Sequence, residues 1–103
     1  MIIYKIIIHI QKQIEQEWLS WMKENHIPEI MALKLFNKGK IFKILNNENL
    51  NLKSYCVEYQ CESIEEYNQY QKKFSKKIQK KHSEKYKGKF TAERLILSLK
   101  NEF

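Results

Sequence analysis

The stretch Ser54-Tyr55-Cys56-Val57-Glu58-Tyr59-Gln60-Cys61, followed at once by Glu62-Ser63-Ile64-Glu65-Glu66, decides the fold. Its first eight residues alternate. Tyr55, Val57, Tyr59 and Cys61 fall on one side, and Ser54, Cys56, Glu58 and Gln60 on the other, which is the period of a half-buried strand. The period then changes. Ser63 and Glu66 form the S-x-x-E of a capping box, and the longest helix of the chain is expected to start there. Its apolar stripe runs through Tyr67, Tyr70, Phe74 and Ile78 and reaches His82, while Lys72, Lys73, Lys76, Lys77 and Lys80 turn outward. Gly88 serves as its cap, and Phe90 to Leu99 reads as the last strand.

Upstream, Ile2 to Ile10 is an apolar, β-branched run of the kind found in central strands. Ile2, Tyr4, Ile6, Ile8 and Ile10 make an unbroken apolar face for the helices; Ile3, Lys5, Ile7 and His9 make a mixed one. Gln13 to Asn25 follows as a helix, with Ile14, Trp18, Trp21 and Met22 on one stripe. Pro28 lacks an amide proton and holds Ile27 away from helical angles, so this helix is expected to break near His26, with a new short turn at Pro28. Lys34 to Leu45 is the second strand, bulged or bent at Gly39, and Asn46 to Asn51 is a polar turn.

The order β-α-β-β-α-β predicts an α+β, ferredoxin-like fold in one domain over 1–103: a four-stranded antiparallel sheet with both helices on one face. The other face, with Ile3 and Ile7, is too apolar to leave in water. Pairing of two open faces into a dimeric α+β barrel is the simplest remedy, so a homodimer is expected.

Composition narrows the classes. At 103 residues, 43% hydrophobic and 13% aromatic, the chain supports a modest core and not a disordered segment. Two glycines leave no Walker or dinucleotide loop, and no cofactor is expected. The net charge of +7 is concentrated: residues 1–66 carry eight Lys and nine Glu, residues 67–103 ten Lys, one Arg and three Glu. The absence of aspartate and the abundance of Ile and Asn point to an AT-rich coding bias, and phosphate recognition favours arginine. Nucleic-acid binding is therefore disfavoured. Cys56 and Cys61, five apart on one strand, face opposite ways and cannot bridge each other, which suits the cytoplasm. The apolar start is too short and interrupted to span a bilayer and lacks the features of a signal peptide, so no membrane association is expected.

The run Trp18, Trp21, Met22, His26, Ile27, Pro28, Glu29 resembles the signature of the domain of unknown function numbered 4286. Tyr55, Val57, Tyr59, Ser63, Tyr67, Tyr70, Gly88, Phe90, Ala92 and Arg94 continue the likeness over nearly the whole chain. Glu58 and Glu93 depart from it, standing where a glutamine and an aromatic residue are usual, and both put negative charge near Arg94. The resemblance implies a small dimeric α+β-barrel protein, usually bacterial, with no assigned activity.

Four constellations carry chemistry. Trp18, Trp21 and His26, with Tyr59 from the third strand, are candidates to line a pocket between the first helix and the sheet for a small, flat, partly apolar ligand. The competing reading is that both tryptophans are core and His26 caps a broken helix. His26 and Glu29 are candidates for a general acid/base pair, which would suit a monooxygenase-like enzyme working without a cofactor; helix-dipole stabilisation already accounts for Glu29. Glu58 and Arg94, with Lys5 and Gln60, are expected as a polar cluster on the dimer face. The lysine face suits a non-enzymatic interaction module, or simply solvent. His9 and His82 have no metal-ligand spacing, so no metal site is expected.

Overall fold

Six isoleucines between residues 2 and 10 favour extended backbone, because β-branched side chains pack well on a pleated surface. In the computed structural model, which describes residues 1–103, they form β1 (Ile2–Gln11). β2 (Lys38–Lys43), β3 (Leu52–Cys61) and β4 (Phe90–Ser98) complete one sheet in the order β2-β3-β1-β4. Every neighbouring pair is antiparallel. The helices lie on one face. Tyr4, Ile6, Ile8 and Ile10 of β1 and Tyr55, Val57, Tyr59 and Cys61 of β3 are buried beneath them. The expected ferredoxin-like topology is therefore present, and the alternation in β1 and β3 has the expected sense.

The first helical run differs from expectation. A 3-10 turn (Lys12–Ile14) leads into α1 (Glu15–Trp21), then a π-helical turn (Met22–His26), then α2 (Ile27–Met31). The chain does not break at His26. Ile27 is helical at φ −65°, ψ −46°, and its amide bonds to the Met22 carbonyl five residues back. In a regular helix the Pro28 ring would press on the Glu24 carbonyl. The wider π turn relieves that contact, so the proline is absorbed without ending the helix.

β2 is shorter than Lys34 to Leu45 because Lys34 adopts a left-handed conformation (φ 62°) just beyond α2. Gly39 is neither bulged nor bent: it pairs in unbroken register with Tyr59. Its missing side chain serves packing instead, since a Cβ there would stand 3.0 Å from Met31 Sδ.

The expected longest helix is two, α3 (Ile64–Lys73) and α4 (Ser75–Lys85), joined at Phe74 (φ −128°, ψ −31°). Tyr70, Phe74, Ile78, His82 and Tyr86 are spaced by four and all face the core. In an unbroken α-helix each step of four rotates the stripe by about 40°. The irregularity at Phe74 keeps both ends of the stripe on the sheet. The capping box is partial: the Ser63 hydroxyl donates to the Glu66 carboxylate and does not cap a helix amide. That bond, with backbone amides, holds the Glu66 carboxyl below its ordinary range. Gly88, at φ 75°, follows α4 and turns the chain into β4.

The opposite sheet face has no covering element. Ile3, Lys5, Ile7 and His9 meet Gln60, Glu58, Cys56 and Ser54 across β3, and Leu97, Leu95, Glu93 and Thr91 across β4. Phe42, Leu95 and Leu97 are exposed there. Cys56 points to this face and Cys61 into the core, and both are free.

Candidate functional site

Two aromatic groups fill the space between helices and sheet. At one end, Tyr4, Phe36, Tyr59, Tyr67 and Tyr70 lie with ring centroids 5.3–6.4 Å apart. At the other, Trp21 lies 5.0 Å from His26, His26 lies 5.7 Å from His82, and His82 meets Phe90 edge-on at 4.5 Å. Between them is a cavity. Its walls are Tyr4, Ile6, Ile8, Val57, Tyr59, Phe90, Ala92 and Arg94 from the sheet, Met22, His26 and Ile30 from the first helical run, and Tyr70, Gln79 and His82 from α3 and α4. The enclosed volume is ≈ 30 Å³, and counted out through the open mouth the space is ≈ 420 Å³. The former holds roughly two or three water-sized groups.

His26 owes its place to the π turn, which carries it over the sheet. It is only 9% exposed, and its Nδ1 has no hydrogen-bond partner in the chain. Burial lowers its pKa to about 4, outweighing the attraction of Glu29; the positive charges of Arg94 and Lys81 add to the lowering. His82 is also lowered to about 4, by burial first and then by His26 and Arg94. Both rings are therefore neutral at pH 7. The Trp18 Nε1–H donates to His82 Nε2 at 2.9 Å, which places the proton of the neutral ring on Nδ1.

Arg94 stands at the cavity's exposed side, and no carboxylate lies within 4.0 Å of it. Gln79 Nε2 donates to Ser75 Oγ at 2.8 Å and to Tyr4 Oη at 3.3 Å. Burial raises the Tyr4 hydroxyl pKa, with Arg94 and Gln79 opposing. Burial also pushes up Tyr59 and Tyr70, so these phenols stay protonated at neutral pH.

The expected site residues separate. His26 and Tyr59 border the cavity; Trp18 and Trp21 do not. Trp18 is fully buried core whose indole nitrogen holds His82, and Trp21 flanks His26 from outside, with Lys85 Nζ 5.9 Å from its ring centroid. Trp18 packs on Tyr55 of β3 with ring centroids 5.1 Å apart, and Trp21 meets Tyr86 edge-on at 5.6 Å, so both indoles are engaged in packing beside the cavity and not in its wall. Glu29 does not pair with His26: its carboxylate meets Lys81 Nζ at 2.5 Å, tying α2 to α4. The expected Glu58–Arg94 cluster does not form. Arg94 sits opposite Ile6, on the helix-covered face, and Glu58 opposite Lys5, on the open one. Strand alternation forbids their meeting, and Glu58 pairs with Lys5 at 3.4 Å. Glu93, not Arg94, shares that open face.

Arg94, expected on the dimer face, belongs instead to the cavity wall, and His82, Gln79, Tyr4 and Tyr70 join it there as polar residues that were not among the expected site residues. The signal for Arg94 was its parity with Phe90 and Ala92; for His82, its place on the Tyr70–Ile78 stripe. His9 lies elsewhere, with Nδ1 2.5 Å from Ser54 Oγ on the open face. Lys72, Lys73, Lys76, Lys77 and Lys80 are exposed, and Lys80 lies 3.7 Å from Glu84. Nowhere do three or more His, Cys, Asp or Glu side chains converge, and no helix is long and apolar enough to cross a membrane.

The family model for the domain of unknown function (DUF4286) matches residues 1–100. Among solved structures, a dimeric ferredoxin-like protein from an uncultured marine organism superposes with a TM-score of 0.72 at 18% identity, over 100% of this chain and 98% of that one. An ethyl tert-butyl ether d (ethd) family protein from Bacillus halodurans gives 0.65 at 17% identity, over 97% and 100%. The de novo designed protein Foldit4 gives 0.58 at 10% identity, over 96% and 98%. At these identities the likeness is one of fold, and a designed protein among the matches shows that the topology alone implies no function. No curated protein matches the sequence.

Proposed function

The chain belongs to the DUF4286 family, and from that premise we propose that it binds a small, flat, partly apolar ligand in the cavity beside His26. The observation that carries this reading is a buried imidazole nitrogen without a partner, on a ring that borders a mostly apolar cavity. An unmatched buried polar atom is costly, and a ligand hydroxyl or carbonyl would satisfy it. Apolar walls with a few converging polar groups are the usual make-up of small-molecule sites. Tyr59 and Val57 form the floor, Met22 and Ile30 the roof. A ligand larger than the present space displaces Met22, whose flexible thioether repacks readily.

Binding is favoured over catalysis. A general base works best with a pKa near the operating pH, and the burial that lowers His26 to about 4 leaves it a hydrogen-bond partner at neutral pH. We read residues 1–103 as one α+β-barrel domain, working in the cytoplasm as a homodimer closed through the open sheet faces. Exposed Phe42, Leu95 and Leu97 beside Ile3 and Ile7 support that pairing.

The test is calorimetric titration of the purified chain with a library of small aromatic and aliphatic compounds, beside Ala92→Leu, which fills the cavity from the sheet side. Saturable binding lost in the variant supports the reading. Absence of binding, or binding unaffected by Ala92→Leu, removes it.

A further inference from the structure

The walls of the cavity carry one formal charge. Arg94 is the only arginine in the chain, the only charged side chain lining the cavity, and free of any carboxylate within 4.0 Å. Glu29, on the helix above, is held by Lys81, and Glu93 points to the other sheet face. Beside Arg94 the Tyr4 hydroxyl accepts from Gln79 Nε2, which leaves its own proton free to be donated. Two donors, one of them cationic, thus stand side by side in the wall. The imidazoles of the wall are neutral: His26, with its unpartnered Nδ1, and His82, whose Nε2 is committed to Trp18.

Building on the cavity reading above, we propose that the ligand is a small carboxylic acid: its carboxylate at Arg94 and Tyr4, its apolar body against Ile6, Val57 and Ala92. One guanidinium balances one negative charge, and its planar fork matches a carboxylate in two-point contact. A phosphate brings nearly two charges, and the cavity offers no second cation and no helix amino terminus among its walls to receive the excess. A hydroxyl or carbonyl on the body of the acid meets His26.

The experiment uses matched pairs differing only in the anion: benzoate and benzamide, 4-hydroxybenzoate and 4-hydroxybenzamide, butyrate and butyramide, each with inorganic phosphate as a control. Affinities are measured by heteronuclear NMR titration of the full chain and of Arg94→Gln and Arg94→Lys. Arg94 is exposed and both changes keep most of its length, so both variants are expected to fold; their unliganded spectra check this. The expected result is an acid bound at least about tenfold more tightly than its amide, the scale of one charge-assisted contact. That preference disappears in Arg94→Gln and is partly kept in Arg94→Lys. An amide that binds as well as its acid, or a preference unchanged in Arg94→Gln, overturns the inference while leaving the cavity reading standing. Tighter binding of phosphate overturns it as well. If no probe moves any cavity resonance, the inference and the reading beneath it fall together.

Discussion

The indole Nε1–H of Trp18 donates to Nε2 of His82 at 2.9 Å, joining side chains 64 residues apart in the sequence. Trp18 is fully buried and His82 is 7% exposed, so neither group exchanges this bond for water. The bond fixes the His82 tautomer and locks α1 to α4 over the sheet, on the cavity's flank. Trp18→Phe keeps an aromatic ring and removes the donor. We expect a loss of about 1–3 kcal/mol in urea unfolding, the cost of an unpaired buried acceptor plus the smaller ring. Long-range ¹⁵N–¹H spectra should show His82 as the Nδ1–H tautomer in the natural chain and a mixture in the variant.

Acid should weaken the fold within a defined window. His26 and His82 have folded pKa values of about 4 against an unfolded value near 6.5, so the unfolded chain binds more protons between these limits. Their contribution is fully present above about pH 6.5 and is lost as pH falls towards 4. The scale is up to about 3 kcal/mol for each imidazole; the two rings, 5.7 Å apart, do not titrate independently. Urea unfolding between pH 4 and 7.5 should show this slope, and His26→Leu should flatten it.

The two glycines should respond differently. Gly88 has φ 75° and nothing within 4 Å of where a Cβ would stand, so Gly88→Ala tests backbone strain alone. It should cost about 1–2 kcal/mol, and Gly88→Asn less, because asparagine tolerates that conformation. At Gly39 a Cβ meets the flexible end of Met31 at 3.0 Å. Gly39→Ala should therefore change stability by less than about 1 kcal/mol, while Gly39→Leu, which cannot be accommodated by moving one thioether, should cost more. Thermal unfolding of the four variants decides this.

The homodimer proposal has a direct probe in Leu95, exposed on the open face opposite Lys5. In a separated chain Leu95→Glu places a carboxylate across from an ammonium, at little cost. In two faces packed together it buries a charge, which is strongly unfavourable. Sedimentation equilibrium should show a dimer for the natural chain and a folded monomer for the variant.

How much was legible follows from the kind of signal each feature leaves. Strict alternation in 54–61 and the isoleucine run in 2–10 identified the two central strands and their buried faces. Alternation is a local pattern, and it also held the answer for Arg94, whose neighbours Phe90 and Ala92 put it on the helix side. The π turn was not legible, because Pro28 reads as a helix stop unless the helix can widen to admit it. The irregularity at Phe74 hid in a stripe spaced by four, which looks continuous in the sequence but drifts around a regular helix. Glu29 and His26, three apart, looked like partners. Lys81, which claims Glu29, is brought near only by the packing of α4 on α2.

The most direct measurement on the central claim follows the three imidazole signals of the chain by ¹H–¹³C NMR during titration with small acids and their amides. His26 and His82 border the cavity; His9, bonded to Ser54 on the open face, is an internal control. The account predicts that at least one compound shifts the His26 resonance saturably, with His82 following and His9 unmoved. If every compound leaves His26 in place, or moves His9 as far, the cavity is not a binding site.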